Sequence, residues 1–241
     1  MISLKGIYGG YGALDILSNF GIDVDTGTIN CIVGPNGAGK STVLKAVSGI
    51  LRPRSGSIVV DGSELVGQSP AHILRAGIVQ VPQRNGLFSG LTVKQNVMMG
   101  AYVVRRDRRR LASRYEELAG TFPLIATRAS ERAGSLSGGQ RRIVEFARAM
   151  MLEPNVVLLD EPTLGLDPRS RGVVYEATKA MNSAGVTILM VEQNVRFGLS
   201  LADRMTVMSA GTVVLTGTAQ EIADHPDLMG LFFGTAPDLA G

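Results

Sequence analysis

The stretch Gly34-Pro35-Asn36-Gly37-Ala38-Gly39-Lys40-Ser41 narrows the choice of fold more than any other part of this chain. It follows an apolar run, 29–33, that reads as a buried strand, and it opens a helical pattern continuing from Lys40 toward Ser48. Glycines at this spacing let backbone N–H groups wrap a chain of phosphates, and the helix start that follows adds a favourable dipole. Lys40 is placed to reach β and γ phosphates, Ser41 to offer a hydroxyl to Mg²⁺, and Thr42 to add a contact. A strand, a loop of this kind and a helix in succession belong to a parallel α/β sheet.

The remaining pattern agrees with such a sheet. Short runs rich in Val and Ile at 28–33, 58–61, 78–82, 156–160, 187–192 and 205–209 alternate with longer helical stretches. Ala210-Gly211 then joins 205–209 to the apolar run 212–215, a tight turn that predicts a hairpin closing the sheet. Between Gln83 and Ser137 the β pattern gives way to a helical one, including 108–119 and, beyond Gly139, 141–152. The expectation is one domain: a core from 1–83 and 153–241, with a helical lobe inserted at about 84–152. No repeat period or Pro/Ser-rich linker points to a tandem pair of like domains, so any pairing must use another chain.

Val156-Val157-Leu158-Leu159-Asp160-Glu161-Pro162 is the second chemical feature: a buried strand that delivers two carboxylates at its C-terminal end. Ligands gather at that edge of parallel sheets. Asp160 is suited to hold Mg²⁺ through its water shell, and Glu161 to orient and deprotonate an attacking water. Together with the phosphate loop this predicts a bound polyphosphate with Mg²⁺ as cofactor, and Glu161 and Lys40 as catalytic groups.

Composition removes several other function classes. At 241 residues, 45% hydrophobic and 19% charged, the chain has the make-up of an ordinary globular protein. Its best apolar runs are strand-length, far short of the ~20 residues a membrane-spanning helix needs. The start, Met1-Ile2-Ser3-Leu4-Lys5-Gly6, lacks the features of a secretory signal, so a cytosolic location is expected. Cys31 lies inside the apolar run 29–33 and reads as a small buried hydrophobe. His72 and His225 have no zinc-type spacing. The formal charge of +3 is small, and much of it sits in the run 105–110, which reads as a solvated helix face; no nucleic-acid partner is expected.

Leu136-Ser137-Gly138-Gly139-Gln140 resembles the signature motif of the ABC ATPases. Read without that resemblance, Ser137 before two glycines and a helical run is an N-cap. With it, 137–140 is implied to face the γ-phosphate of ATP held by an opposite subunit, where a helix N-terminus offers donors and partial positive charge. Other positions resemble the family in order: Tyr11 the aromatic that stacks on adenine, Gln83 the glutamine joining the nucleotide site to the helical lobe and reaching Mg²⁺, and Asp167 the aspartate of the inter-subunit loop. By themselves these residues also fit a core tyrosine, a polar strand end and a turn start before Pro168. The resemblance runs from about Leu4 to Gly217. It implies ATP as the bound polyphosphate and the P-loop ABC-ATPase fold: α/β, a mainly parallel core sheet with an antiparallel β part, and an inserted helical lobe.

One position departs from the family. Most ABC ATPases carry a switch histidine after the strand at 187–192, and this chain has Gln193. A glutamine can hydrogen-bond a γ-phosphate oxygen or the lytic water, but it carries no charge and relays no proton, which places more of the base role on Glu161. Val191-Glu192-Gln193-Asn194, Leu201-Ala202-Asp203-Arg204, Leu91-Thr92-Val93 with Asn96, and the stretch 213–217 are similar to one subgroup, the second ATPase of branched-chain amino acid importers. The resemblance implies a second ATPase subunit, two integral membrane permease subunits and, indirectly, an external solute-binding protein as partners, with the chain peripheral on the inner face of the membrane. The same engine also serves urea or amide importers and lipid exporters. ABC ATPases acting on ribosomes or DNA resemble tandem pairs or chains split by long coiled coils, and this sequence has neither.

Overall fold

The computed structural model describes residues 1–83, 86–102 and 108–233. Of the arginine run at 105–110, positions 105–107 lie outside the described residues. Strands β1 (Ile2–Tyr11), β2 (Leu14–Val24), β4 (Ser55–Val60) and β5 (Ser63–Glu64) form an antiparallel sheet in the order β2-β1-β4-β5. Strands β3 (Ile29–Val33), β6 (Ile78–Val81), β7 (Val156–Asp160), β8 (Thr187–Glu192), β9 (Arg204–Ser209) and β10 (Thr212–Thr218) form the second sheet, in the order β10-β9-β3-β8-β7-β6. All neighbours in that sheet are parallel except β9 and β10, the expected hairpin.

Helix α1 (Lys40–Val47) lies between the two sheets. Its Val43, Leu44 and Val47 share one cluster with Ile2, Leu4, Phe20 and Ile58 on one side and Ile32, Leu158 and Val191 on the other. The opposite face of the parallel sheet, with Cys31, Val33, Val157, Leu159 and Ile188, packs on the remaining helices. Thus successive residues of β3 serve different layers, the period-2 rule of a strand buried on both faces. Cys31 is buried as expected, and burial pushes its thiol well above the ordinary range.

Between β6 and β7 the described residues are helical: α3 (Val93–Met99), α4 (Arg108–Thr121), α5 (Leu124–Thr127), a short 3₁₀ turn at Ala133–Ser135, and α6 (Gly138–Met150). After α2 (Pro70–Arg75), the later helices are α7 (Pro168–Ser183), α8 (Val195–Leu201), α9 (Ala219–Ala223) and α10 (Leu228–Phe233). Capping boxes start α3, through Thr92 and Gln95, and α6, through Ser137 and Gln140. The buried face of α6, including Val144, Phe146 and Ala147, continues the same apolar cluster from the sheet to Leu118 of α4. Among the described residues no helix is long and apolar enough to cross a membrane.

Three strands were not anticipated: β1, β2 and the two-residue β5. β1 and β2 carry glycines at 6, 9, 10 and 21, and their pairing is broken by register shifts between Leu4 and Ile7, Ile7 and Gly9, and Gly9 and Gly10. Bulges of this kind destroy the strict alternation by which a strand is read from sequence. Helix α6 also begins earlier than the expected 141, because the capping box recruits Gly138 and Gly139 into its first turn.

Candidate functional site

Because β3, β6, β7 and β8 run parallel, their C-terminal ends share one edge of the sheet. The loop 34–39 leaves β3 there, Asp160 and Glu161 end β7, Gln83 lies two residues past β6, and Gln193 follows β8. Two glycines make the loop possible. Gly39 has φ +100, and a Cβ on it would sit 2.9 Å from the Met208 Cε. At Gly34 a Cβ would lie 2.2 Å from the Met208 carbonyl oxygen. No side chain caps α1; the Thr42 and Val43 N–H groups turn back to the Gly39 carbonyl, and the N–H groups ahead of them are placed to meet an anion.

Lys40 is 4% exposed, and its ammonium donates to the carbonyls of Gly34 at 2.8 Å and Pro35 at 2.9 Å. It stands 3.7 Å from the Glu161 carboxylate. Burial pulls the Lys40 pKa down, and the charge of Glu161 opposes that shift. The Ser41 hydroxyl donates to Asp160 Oδ1 at 2.8 Å. Burial pushes the Asp160 carboxyl up, countered by that hydrogen bond. Glu161 is a non-glycine residue at φ +43, a left-handed conformation costing about 1–2 kcal/mol. Its N–H donates to the Val191 carbonyl at 3.0 Å, and its Oε2 accepts from the Gln83 amide at 2.5 Å. One connected network therefore joins Lys40, Glu161 and Gln83, with Ser41 and Asp160 as a second pair beside it.

A cavity of about 320 Å³ opens on this edge, lined by Tyr11, Ile16, Asn36, Gly37, Gly39, Lys40, Ser41, Thr42 and Glu161. Tyr11 is 52% exposed, which sets aside the core reading; its hydroxyl accepts from Lys45 at 2.9 Å. The donor set suits a polyphosphate with a hard cation. A buried ammonium and an uncapped helix start face the anion, while a hydroxyl and a carboxylate offer the oxygen ligands Mg²⁺ takes. Among the described residues no group of three or more His, Cys, Asp or Glu could hold a metal alone.

The other expected positions are placed as follows. Ser137 accepts from the Gln140 N–H at 3.4 Å, and the Gln140 side chain accepts from the Ser137 N–H at 3.0 Å, so both act in the cap of α6. Residues 137–140 contribute nothing to the lining of the phosphate-loop cavity. Asp167 caps α7, accepting from the Ser170 N–H at 3.0 Å and its hydroxyl at 2.6 Å. The Ser170 bonds hold its carboxyl below the usual range. Gln193 is exposed at the start of the loop after β8.

Four residues escaped the sequence reading. Glu192, 2% exposed, accepts from the Thr163 hydroxyl at 2.7 Å and its N–H at 3.1 Å, tying the end of β8 to the segment after Glu161. Burial pushes its carboxyl up, and Thr163 opposes. Arg142 and Glu145 form a buried ion pair at 2.6 Å on α6. The available signal was charge: an acid closing an apolar strand, and opposite charges at i and i+3 within an otherwise apolar helix face.

Residues 17–164 match the family described as "ABC transporter". The chain is 35% identical over 234 residues to the "High-affinity branched-chain amino acid transport ATP-binding protein BraG" of Pseudomonas aeruginosa, covering 97% of this chain and 100% of that protein. It is 34% identical over 235 residues to the "Probable branched-chain amino acid transport ATP-binding protein LivF" of Archaeoglobus fulgidus, covering 97% and 99%. A solved structure, the ADP conformation of MJ1267, "an ATP-binding cassette of an ABC transporter", superposes with a TM-score of 0.88 over 96% of this chain and 98% of that one, at 23% identity. At that identity the superposition speaks for the fold.

Proposed function

This chain belongs to the ABC transporter family as an ATP-binding subunit, and on that premise we propose how its residues hydrolyse ATP and what the hydrolysis drives. The phosphate loop, from Gly34, Pro35, Asn36, Gly37, Ala38 and Gly39 to Lys40, Ser41 and Thr42, wraps the triphosphate, and Tyr11 stacks on the adenine. Ser41 and Asp160, with Gln83, would hold Mg²⁺, and the chemistry it would supply there is neutralisation of phosphate charge. Glu161 accepts a proton from the attacking water. The water oxygen bonds to the γ-phosphorus as the β–γ bridging P–O bond breaks, and ADP departs with the electron pair. Lys40 offsets the charge that builds on the phosphates, and Gln193 hydrogen-bonds a γ-phosphate oxygen or the water.

Ser137, Gly138, Gly139 and Gln140 of a second ATPase subunit complete each site, with Asp167 in the loop between subunits. The observation that carries this split arrangement is that the cavity at the phosphate loop takes no lining from this chain's own 137–140. Closure of two such subunits around two ATP draws in the helical lobe, about 84–152, against the core of 1–83 and 153–241. Contacts around 83–96 pass the movement to two membrane permease subunits at the inner face of the membrane. The relatives' names favour branched-chain amino acids as cargo, delivered by an external solute-binding protein.

Turnover per subunit measured across a dilution series, alongside sedimentation, tests the split site. Activity must fall as the associated species disappears, and undiminished hydrolysis by single copies overturns the proposal. A tagged chain purified from detergent-solubilised membranes is expected to carry multi-span proteins, and recovery with ribosomes or DNA instead refutes the transport role. For the cargo, ATPase activity of the reconstituted complex should rise with a leucine-loaded binding protein; stimulation by a urea- or amide-loaded one alone rules out the branched-chain assignment.

A further inference from the structure

Arg142 occupies an unusual position among the buried charges. It is 7% exposed, on α6 a little more than one turn beyond the Ser137 cap. Its Nε donates to the Pro162 carbonyl at 3.1 Å, one terminal nitrogen to the Pro82 carbonyl at 2.9 Å and to Glu145 Oε2 at 2.6 Å, and the other to the Gln83 carbonyl. One guanidinium thus grips the backbone on both sides of the catalytic carboxylate. Pro162 is the residue after Glu161, and Gln83 is the residue whose side-chain amide holds Glu161 Oε2.

Glu145 closes the other side of the same segment. A Cβ on Gly86 would lie 2.4 Å from Glu145 Oε1, so the backbone at Gly86 lies directly against this carboxylate. The ion pair fixes the guanidinium plane, and the planar fork matches several carbonyls at once, which the point charge of a lysine cannot do. The Ser137 cap and Arg142 belong to one unbroken helix, Gly138–Met150. Any displacement of its N-terminus is therefore delivered through Arg142 to Gln83 and Pro162 together.

The geometry points to Arg142 as a positioning residue that makes the alignment of Glu161 depend on where α6 sits, so that the catalytic carboxylate is set only when the start of that helix is in its closed place. This rests on the roles given above to Glu161 and to 137–140. Arg142 touches no reacting atom; it acts through Gln83 and Pro162.

Arg142→Lys is the informative variant. It keeps a cation against Glu145, and so the fold, but loses the fork that spans three carbonyls. A misalignment of about 1 Å is worth up to about 100-fold in rate, so kcat is expected to fall about 10- to 100-fold with ATP affinity, measured without turnover, unchanged. In an E161Q background the same substitution should cost nothing further. The neutral pair Arg142→Met with Glu145→Gln, which removes both charges of the buried ion pair, should show the same loss of kcat. A folded R142K with turnover within twofold of the parent overturns the inference, as does a loss that multiplies that of E161Q. If E161Q itself turns over at the parental rate, the base assignment fails instead, and the two failures are told apart.

Discussion

Replacing Glu161 by Gln separates the two jobs proposed for this carboxylate. The first is chemical: a positioned general base contributes about 10²- to 10⁴-fold, and an amide in its place accepts no proton, so single-turnover hydrolysis should slow by that order. The second is electrostatic, and it acts before nucleotide arrives. Lys40 and Glu161 lie 3.7 Å apart with side chains 4% and 8% exposed. Removing one partner of a buried pair typically costs about 3–5 kcal/mol. The Gly34 and Pro35 carbonyls still receive the ammonium in the variant, which argues for the low end, about 3 kcal/mol. For a domain of this size that lowers Tm by about 6–12 °C. ATP brings its own negative charge to Lys40, so the variant should recover most of the loss when ATP and Mg²⁺ are added, a larger ligand-induced shift than the parent shows. Differential scanning fluorimetry with and without ATP, beside phosphate release, reads both effects. ATP should also trap the variant as a closed dimer. Turnover within tenfold of the parent would refute the base role, and an unchanged apo Tm would refute the idea that Lys40 depends on this carboxylate.

Two further outcomes follow from residues at the rim and behind the site. Tyr11→Ala should raise the KM for ATP about fivefold or more, the loss of roughly 1 kcal/mol of base stacking, with kcat within twofold; an unchanged KM removes Tyr11 from the adenine site. Burial holds the Glu192 carboxyl above its ordinary range, so the folded chain binds that proton more tightly than the unfolded chain does. The cost of ionising it is fully present above the folded pKa, diminishes as pH falls below that value, and is gone below the ordinary carboxylate pKa. Glu192→Gln, which keeps an oxygen for Thr163, should therefore gain in Tm over the parent near pH 8, and the gain should shrink on acidification toward pH 5. A gap that stays constant or widens on acidification contradicts the shift.

What could be read from sequence was whatever the chain writes locally. The phosphate loop, the paired carboxylates ending β7, and the Ser137 cap are each complete within a few neighbours, because a turn, a strand end or a helix start is set by backbone chemistry at short range. Strands β3, β7 and β8 were legible for the same reason: buried on both faces, they are continuous apolar runs. Only the tertiary structure decided the rest. β1 and β2 hide behind bulges that matter only once each has a partner. That the Lys40 ammonium meets Glu161, that Glu192 holds Thr163, and that Arg142 takes carbonyls from Pro82, Gln83 and Pro162 are all choices made across long stretches of chain. A buried charge must find partners wherever packing puts them, and no local pattern names a partner 60 residues away.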